Sequence, residues 1–232
     1  MKIIGLTGGI ACGKSTVVSS LRRAGLPVID MDSVAHRVHT DAAVRRRIVA
    51  AFGAGVLGAD GETDRKKLGD VIFSDDDKRR TLNRIMQAPL ARALFRAVLW
   101  HFAVGTPVVV LDAPLLFEVK ALRSICAKVL VVHVSADVQI ERLMARDKDG
   151  QADAERRIAA QMPLAQKVAM ADIVVDNDGS EEALRARVEA LAVDIQAFSW
   201  HRLVGGPTLL AVVVLALSGL LWLSWQSTAA KL

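Results

Sequence analysis

The sequence has little of what marks a metal-binding, repetitive or nucleic-acid-binding protein. Its two cysteines, Cys12 and Cys126, lie far apart and lack the spacing of metal ligands. It contains no internal repeat and no low-complexity tract. The formal net charge is +5, but lysine and arginine are scattered along predicted helices and form no single basic run. We therefore do not expect nucleic acid as a partner.

Length and composition indicate a globular protein. The chain has 232 residues, enough for one substantial core with a small insert. Charged residues make up 24% and hydrophobic residues 52% of the sequence, so some segment carries an apolar excess. A modest positive charge suits a protein that handles phosphates, but it is too diffuse to identify a partner.

The stretch Gly8–Thr16, GGIACGKST, matches the phosphate-binding pattern G-x-x-x-x-G-K-[ST] at every required position. A short β-branched run, Lys2–Thr7, precedes it and predicts a buried strand, and residues 17–24 predict a helix behind it. This order of strand, loop and helix is the context that the motif requires. The alternative, a glycine turn that merely joins a strand to a helix, leaves the complete motif unexplained.

The residue types in this loop suit a nucleoside triphosphate. Backbone N–H groups of a glycine-rich turn converge on phosphate oxygens, and the following helix adds the positive end of its dipole. We expect Lys14, a candidate catalytic residue, to neutralise the β- and γ-phosphates and the Ser15 hydroxyl group to hold Mg²⁺. Cys12 is interpreted as a small residue tolerated in the loop, the alternative being an oxidation-sensitive thiol. The predicted phosphate-binding residues are Gly8, Gly9, Ile10, Ala11, Cys12, Gly13, Lys14, Ser15 and Thr16.

Two carboxylates follow the predicted second strand, Leu26–Ile29. They are Asp30 and Asp32, and ligands of open α/β sheets bind at this carboxyl edge, so both are expected to face the nucleotide. A carboxylate there can accept a proton from an attacking hydroxyl group or hold Mg²⁺. The alternative is that Asp32 or Ser33 only caps a helix that begins near Val34.

A further carboxylate ends the next apolar strand. The strand is predicted at Val108–Leu111 and is followed by Asp112, which we expect to contact Mg²⁺ directly or through water. Ser15 and Asp112 are thus the candidate metal ligands. Another apolar run, Lys128–Val134, predicts the following strand, and His133 within it is interpreted as a packed core histidine.

Residues 34–104 predict a mostly helical insert with no long strand. Apolar residues recur at helical spacing in Ala42–Phe52. Two later helices are predicted at 78–86 and 90–104, separated at Pro89. We interpret this insert as the part of the protein that receives the second substrate.

Two helices, predicted at Ala136–Met144 and Ala154–Met162 and joined by a basic loop, form an arrangement typical of a lid, which we place at about 140–165. Arg146 and Arg157 in these helices could move over the transferring phosphate, where a guanidinium group stabilises spread negative charge. The alternative is that both are ordinary surface arginines. A last strand and turn at 171–179 precede an amphipathic helix, so five predicted strands alternate with helices and indicate an α/β fold with a mostly parallel sheet.

Several separated motifs occur together in this chain in a fixed order. They are Ile4–Ile10 with Gly13–Thr16, Val28–Asp32, Asp112–Glu118, Arg146–Asp147, Arg157–Ile158 with Gln161, and Ala171–Gly179. This series resembles the dephospho-coenzyme A kinase family. The resemblance covers residues 1–198 in the family's order and is far more specific than the phosphate-binding loop alone.

The resemblance implies a P-loop kinase with a nucleotide core, a helical substrate domain and a lid. It would use ATP and Mg²⁺ to phosphorylate the ribose 3′-hydroxyl group of dephospho-coenzyme A, the last step of coenzyme A synthesis. Carried onto this chain, Asp32 becomes the candidate base, Arg146 the charge of the lid, and Asn177 a neighbour of the adenine of ATP. The resemblance also implies three substrate-binding residues, Leu116, Phe117 and Glu118.

The sequence departs from the family pattern at two places, and two alternative functions remain. Many members have Gly-Ser where this chain has Ala11-Cys12, and many have His-Pro where it has Gln87-Ala88. The first change keeps small side chains, whereas the second leaves the shape of the substrate pocket open. The alternatives are a nucleoside or nucleotide kinase, and a membrane-tethered nucleotide-binding scaffold without kinase activity.

The C-terminal part, 199–232, is interpreted as a membrane anchor and short tail. Residues 203–225 carry no charge and are long enough for a helix to span a bilayer. Trp200, Trp222 and Trp225 lie near the ends of this stretch, as interface anchors do. We therefore expect a single C-terminal transmembrane helix, with the lipid bilayer as a partner and the kinase domain facing the cytosol. Ala230–Leu232 resembles a peroxisomal address, which leaves an organelle of that type as the alternative location.

Overall fold

The computed structural model describes residues 1–73, 75–148 and 150–200. The chain divides into two compact units. The first, which we call the sheet unit, contains Met1–Asp30 and the described residues from His101 onward. The second, which we call the helical unit, is Met31–Trp100.

A parallel sheet of five strands, in the order β2-β3-β1-β4-β5, forms the centre of the sheet unit as described. This order confirms the predicted α/β fold with a parallel five-stranded sheet. The strands are β1 (Lys2–Gly8), β2 (Val28–Asp30), β3 (Val108–Asp112), β4 (Lys128–His133) and β5 (Ile173–Asp176).

The described helices are distributed over both units. In chain order they are α1 (Lys14–Arg23), α2 (Met31–His39), α3 (Ala42–Phe52), α4 (Arg65–Phe73), α5 (Asp76–Ala103), α6 (Lys120–Ile125), α7 (Ala136–Asp147), α8 (Gln151–Ala159), α9 (Leu164–Ala169) and α10 (Glu181–Trp200). A short 3₁₀ turn, Ala54–Val56, follows α3.

Burial on the sheet explains why its strands are so apolar. All five residues of β3 are buried, and β1 is buried from Ile3 onward. Side chains alternate between the faces of a strand, so Ile4 and Leu6 share one face. Both belong to a hydrophobic cluster with Val17 of α1 and Val188 of α10, which places these two helices over that face. Strands covered in this way read as continuous hydrophobic runs.

The helical unit has its own hydrophobic core, formed by buried residues of α2 to α5 and of the 3₁₀ turn. The helix predicted at Ala42–Phe52 is confirmed as α3. Its start is set by Asp41, whose carboxylate accepts hydrogen bonds from the N–H groups of Ala43 and Val44 at 2.8 and 3.2 Å. It ends at Gly53, where φ is +83°.

One prediction within this unit is wrong, because Pro89 does not separate two helices. It lies inside the continuous helix α5. Proline in a helix interior removes one backbone hydrogen bond and costs about 3 kcal/mol. Pro89 is buried one turn after the buried Ile85, and Leu94 and Val98 repeat that spacing further along. Apolar burial on this stripe offsets the cost, a tertiary effect that the local sequence does not express.

Two helices begin earlier than predicted, and both changes concern the candidate site. The helix behind the phosphate-binding loop begins at Lys14, so Lys14, Ser15 and Thr16 lie in its first turn. The helix after β2 begins at Met31, so Asp32 lies in its first turn. The alternative in which Asp32 or Ser33 caps a helix beginning near Val34 is therefore wrong.

The predictions for the C-terminal part need correction. Within residues 1–73, 75–148 and 150–200, no helix is long and apolar enough to cross a membrane. Residues 203–225, for which a transmembrane helix was predicted, lie outside the described residues, as do Trp222, Trp225 and Ala230–Leu232. The prediction rested on an uncharged run with tryptophans near its ends, and such a pattern does not by itself establish a spanning helix. The finding for the described residues contradicts the predicted transmembrane helix, and it gives no support to the membrane-anchored location or to the bilayer as a partner.

Candidate active site

The phosphate-binding loop connects β1 to α1 at the carboxyl edge of the sheet. Ala11 and Gly13 have positive φ values of 60° and 80°, which give the loop its tight path. Gly13 occupies the N-cap position of α1, where no side chain forms a capping hydrogen bond. The first N–H groups of a helix have no partner within the helix and carry its positive dipole end. These features make the start of α1 a suitable site for phosphate oxygens.

Lys14 and Asp112 form an ion pair across the sheet edge. Lys14 Nζ lies 2.5 Å from Asp112 Oδ1, and the two side chains are 20% and 8% exposed. Asp112 ends β3, and its backbone is in register with that of Asp30 at the end of β2. The carboxylate of Asp112 and the exposed hydroxyl group of Ser15 are hard oxygen ligands. Mg²⁺ prefers such ligands, so these two residues are suited to bind it.

Three carboxamide side chains bind the backbone of the loop. Gln139 Nε2 donates to the carbonyl oxygen of Ile10 at 2.8 Å. Ile10 N–H donates to Gln161 Oε1 at 3.0 Å, and Asn177 Nδ2 donates to the carbonyl oxygen of Cys12 at 2.9 Å. Gln139 was not predicted from the sequence. It lies one turn before Leu143 on the buried side of α7, and this spacing could have indicated that the glutamine is buried. The contact of Asn177 with adenine stays a prediction, since the described side chain faces the loop.

Replacement of Gly13 by alanine is expected to weaken MgATP binding by about tenfold or more. The new Cβ would collide with Asn177 Nδ2, and φ of +80° is unfavourable for alanine. The dissociation constant of MgATP, measured by titration calorimetry, tests this expectation. The control is Gly25→Ala, which has the same kind of backbone strain at φ +83° but no atom within 4 Å of the new Cβ. Equal MgATP affinity in the two variants would contradict the role of the Asn177 contact.

Cys12 is buried in the loop at 1% exposure. Burial raises the pKa of its thiol to about 11, so the thiol is protonated at neutral pH. Because the thiolate is the reactive form, the oxidation-sensitive alternative is disfavoured. Burial likewise raises the pKa of the Cys126 thiol to about 12.

The segment that follows β3 contains the three predicted substrate-binding residues. Leu116 is fully buried, and a Cβ on Gly5 of β1 would lie 2.5 Å from its Cδ1 atom. Phe117 is partly buried, and the side chain of Glu118 is 26% exposed. Of the three, only Phe117 and Glu118 have side-chain surface that a substrate could reach.

A buried lysine, which the sequence analysis missed, supports this segment. Lys167 of α9 is 1% exposed. Its ammonium group donates to the carbonyl oxygen of Pro114 at 3.0 Å and lies 3.1 Å from Glu118 Oε1. The hydroxyl group of Thr7 donates to the same carbonyl oxygen at 3.0 Å. A buried lysine is stable only where such partners replace water.

The two candidate lid arginines share one carboxylate. Arg146 donates to both oxygens of Asp147 at 2.8 Å, and Arg157 Nη1 donates to Asp147 Oδ2 at 2.6 Å. These arginines, Arg146 foremost, lower the pKa of Asp147 to about 2. Asp147 is therefore charged at neutral pH and pairs with both arginines in this structure.

His133 departs from its interpretation as a packed core histidine. It is the last residue of β4, its side chain is 36% exposed, and its Nδ1 atom lies 3.7 Å from Asp176 Oδ1. The four residues before it, Val129–Val132, are buried, so the apolar run predicted the strand but not the position at which burial ends.

The helical unit contains a cavity of about 410 Å³ with Asp32 in its wall. Most of the wall is apolar, and the polar side chains in it are those of Asp32, His39 and Arg65. Arg65 begins α4 and contacts His36, one turn after Asp32 on α2. Burial, together with the charge of Arg65, lowers the pKa of His39, which favours its neutral form. The other wall residues are Ala35, Leu68, Gly69, Ile72, Leu82 and Met86.

A phosphate-binding loop with its lysine, a carboxylate at the end of a neighbouring strand and a separate helical unit with a cavity define the class of P-loop kinases. Comparison with known proteins agrees with this class. A profile of the family described as CoaE, dephospho-CoA kinase, matches residues 2–183. The chain belongs to the dephospho-CoA kinase family, and it is accordingly an ATP-dependent kinase that uses Mg²⁺.

Individual relatives cover most of the chain. The dephospho-CoA kinase of Arabidopsis thaliana is 42% identical over 224 residues, which are 94% of this chain and 96% of that protein. The dephospho-CoA kinase of Geobacillus kaustophilus is 46% identical over 189 residues, which are 81% of this chain and 94% of that protein. The crystal structure of TT1252 from Thermus thermophilus has a TM-score of 0.71 at 32% identity and covers 84% of this chain and 97% of its own. The comparisons favour neither the nucleoside kinase nor the scaffold alternative.

Proposed function

We propose that this chain transfers the γ-phosphoryl group of ATP to the ribose 3′-hydroxyl group of dephospho-coenzyme A. The observation that carries the proposal is the complete phosphate-binding loop within a chain that matches the dephospho-CoA kinase family over residues 2–183. The product of this reaction is coenzyme A.

The sheet unit binds the nucleotide in this proposal. The backbone of Gly8–Thr16 surrounds the phosphates, and Lys14 neutralises charge on the β- and γ-phosphates. Ser15 and Asp112 hold Mg²⁺, which supplies positive charge at the phosphate oxygens. Asn177 lies at the nucleotide side and orients the loop through the carbonyl group of Cys12.

The helical unit binds the acceptor. The cavity there combines an apolar wall, suited to the adenine ring, with the carboxylate of Asp32. Asp32 accepts the proton of the attacking 3′-hydroxyl group as general base. We assign residues 1–198 to the kinase domain and about 34–104 to its acceptor-binding insert.

The remaining proposed residues act around the transferring group. Residues of about 140–165 form a lid from which Arg146, once released from Asp147, stabilises the charge spread over the phosphoryl oxygens. Phe117 and Glu118 contact the acceptor with the side-chain surface that they expose. Leu116 acts through packing against β1 and not through contact with substrate.

Turnover of dephospho-coenzyme A by the full chain tests the proposed function. Purified protein is incubated with MgATP and either dephospho-coenzyme A, adenosine, AMP or another nucleoside, and the products are separated by chromatography. We expect coenzyme A as the main product, no product when EDTA removes Mg²⁺, and recovery when Mg²⁺ is restored. A higher kcat/KM for a nucleoside or nucleotide acceptor would overturn the proposal.

A further inference from the structure

Both peptide groups of Ile10 are held by glutamine side chains from other parts of the sheet unit. The Ile10 carbonyl group accepts from Gln139 of α7, and the Ile10 N–H group donates to Gln161, which follows α8. The distances are 2.8 and 3.0 Å, within the normal range for N–H···O hydrogen bonds. Rotation of either peptide would break one of these bonds.

Gln139 is the more buried of the two glutamines. It is 5% exposed, although it lies on a helix whose own backbone hydrogen bonds are already made. A buried carboxamide without a partner is costly, so its contact with the loop is an energetic requirement of the site. Asn177, also 5% exposed, makes the corresponding bond to Cys12 two residues further along the loop.

The position of Gln139 explains a glycine that the phosphate-binding pattern does not require. Gly9 stands at a position where the pattern accepts any residue. A Cβ on Gly9 would lie 2.7 Å from Gln139 Nε2 and 3.0 Å from Cys12 Sγ. The end of a flexible side chain can move aside, but moving Nε2 would break its hydrogen bond to Ile10. The hydrogen bond between Gln139 and Ile10 thus requires glycine at position 9.

We propose that Gln139 is a positioning residue for the triphosphate of ATP. It does not touch the nucleotide. Its amide group holds the Ile10 carbonyl group while Gln161 holds the Ile10 N–H group, and the loop is thereby preformed ahead of Lys14. A preformed cradle binds phosphates without the cost of ordering the loop at the moment of binding.

The variant Gln139→Met tests the proposal, because methionine has similar length and volume but no N–H donor. We expect the dissociation constant and the KM of MgATP to rise about tenfold, which is the effect of one lost hydrogen bond that leaves a partly buried acceptor unpaired. The KM of dephospho-coenzyme A is expected to stay within twofold. The matched control is Gln166→Met at an exposed glutamine, for which both constants should stay unchanged.

Unchanged MgATP affinity in Gln139→Met would overturn the proposal. So would a parallel rise of both KM values with a lower melting temperature, since that result indicates a purely structural amide. Calorimetric titration with MgATP alone needs no acceptor, so its outcome is independent of the proposed acceptor substrate.

The variant Gly9→Ala provides a second route to the same contact if Gln139→Met does not fold. Its Cβ displaces Nε2, so it is expected to raise the MgATP dissociation constant to a similar extent. Where both single variants fold, the double variant should bind MgATP no more weakly than the single variant of lower affinity. Both substitutions remove the same hydrogen bond, the one between Gln139 and Ile10. Additive losses of affinity would show that Gly9 and Gln139 act separately and would overturn the proposal.

Discussion

Replacement of Asp32 by asparagine is expected to lower kcat by about 10²- to 10⁴-fold, the usual contribution of a general base. Asparagine preserves the shape of the side chain but cannot accept the proton of the 3′-hydroxyl group. Asp32 lies in the first turn of α2 and in the wall of the cavity of the helical unit. Because its proposed role is to deprotonate the acceptor and not to bind the nucleotide, the dissociation constant of MgATP should stay within about twofold, as measured by calorimetry.

The matched control for this variant is Asp70→Asn, which removes an exposed carboxylate of the same unit outside the cavity wall. Its kcat is expected to equal that of the unmodified protein. If Asp32→Asn retains near-normal kcat, Asp32 is not the base.

Replacement of Lys14 by methionine is expected to lower kcat by about 10²- to 10³-fold, because a preorganised charge at the phosphates is lost. A second effect concerns stability. Asp112 has a side chain that is only 8% exposed, and the variant leaves it without the ammonium group 2.5 Å away. Removing one partner of a largely buried ion pair destabilises a protein, so the melting temperature should fall as well.

The double variant Lys14→Met with Asp112→Asn separates these two effects. It also removes the negative charge of Asp112, so the melting temperature should recover towards that of the unmodified protein while kcat stays low. Lys66→Met, at an exposed lysine of α4, controls for the substitution itself. Full activity of Lys14→Met would refute the role of Lys14, and an unchanged melting temperature would refute the stabilising role of the pair.

The features predicted correctly from sequence are those that depend on neighbouring residues. The phosphate-binding motif is a continuous stretch, and the buried strands are short continuous apolar runs. Helix α3 is marked by periodicity and by Gly53 at its end. In each case the signal and the structure lie within about a dozen residues of each other.

The errors arise where distant contacts override the local signal. Pro89 is a helix breaker by local preference, yet burial on the stripe that contains Ile85 keeps α5 continuous. Conversely, His133 belongs to an apolar run but ends its strand at a half-exposed position beside Asp176. Neither outcome can be obtained from propensity alone, since packing decides both.

The proposed functional residues divide in the same way. Lys14, Ser15 and Asp112 were predicted because their chemistry belongs to short patterns, and their roles stay predictions. Gln139 was missed because its partner, Ile10, is 129 positions away in the chain. Lys167 was missed for the same reason, since Pro114 is 53 positions away.

The phosphate-binding loop, the α/β fold and the family could be predicted from the sequence, because local patterns in a specific order carry each of them. What supports that loop is a property of the folded chain. Hydrogen bonds from Gln139, Gln161 and Asn177 to its backbone require parallel strands to bring three distant segments to one edge of the sheet. A carboxamide is a common surface group until the fold buries it, and burial makes its one available partner obligatory.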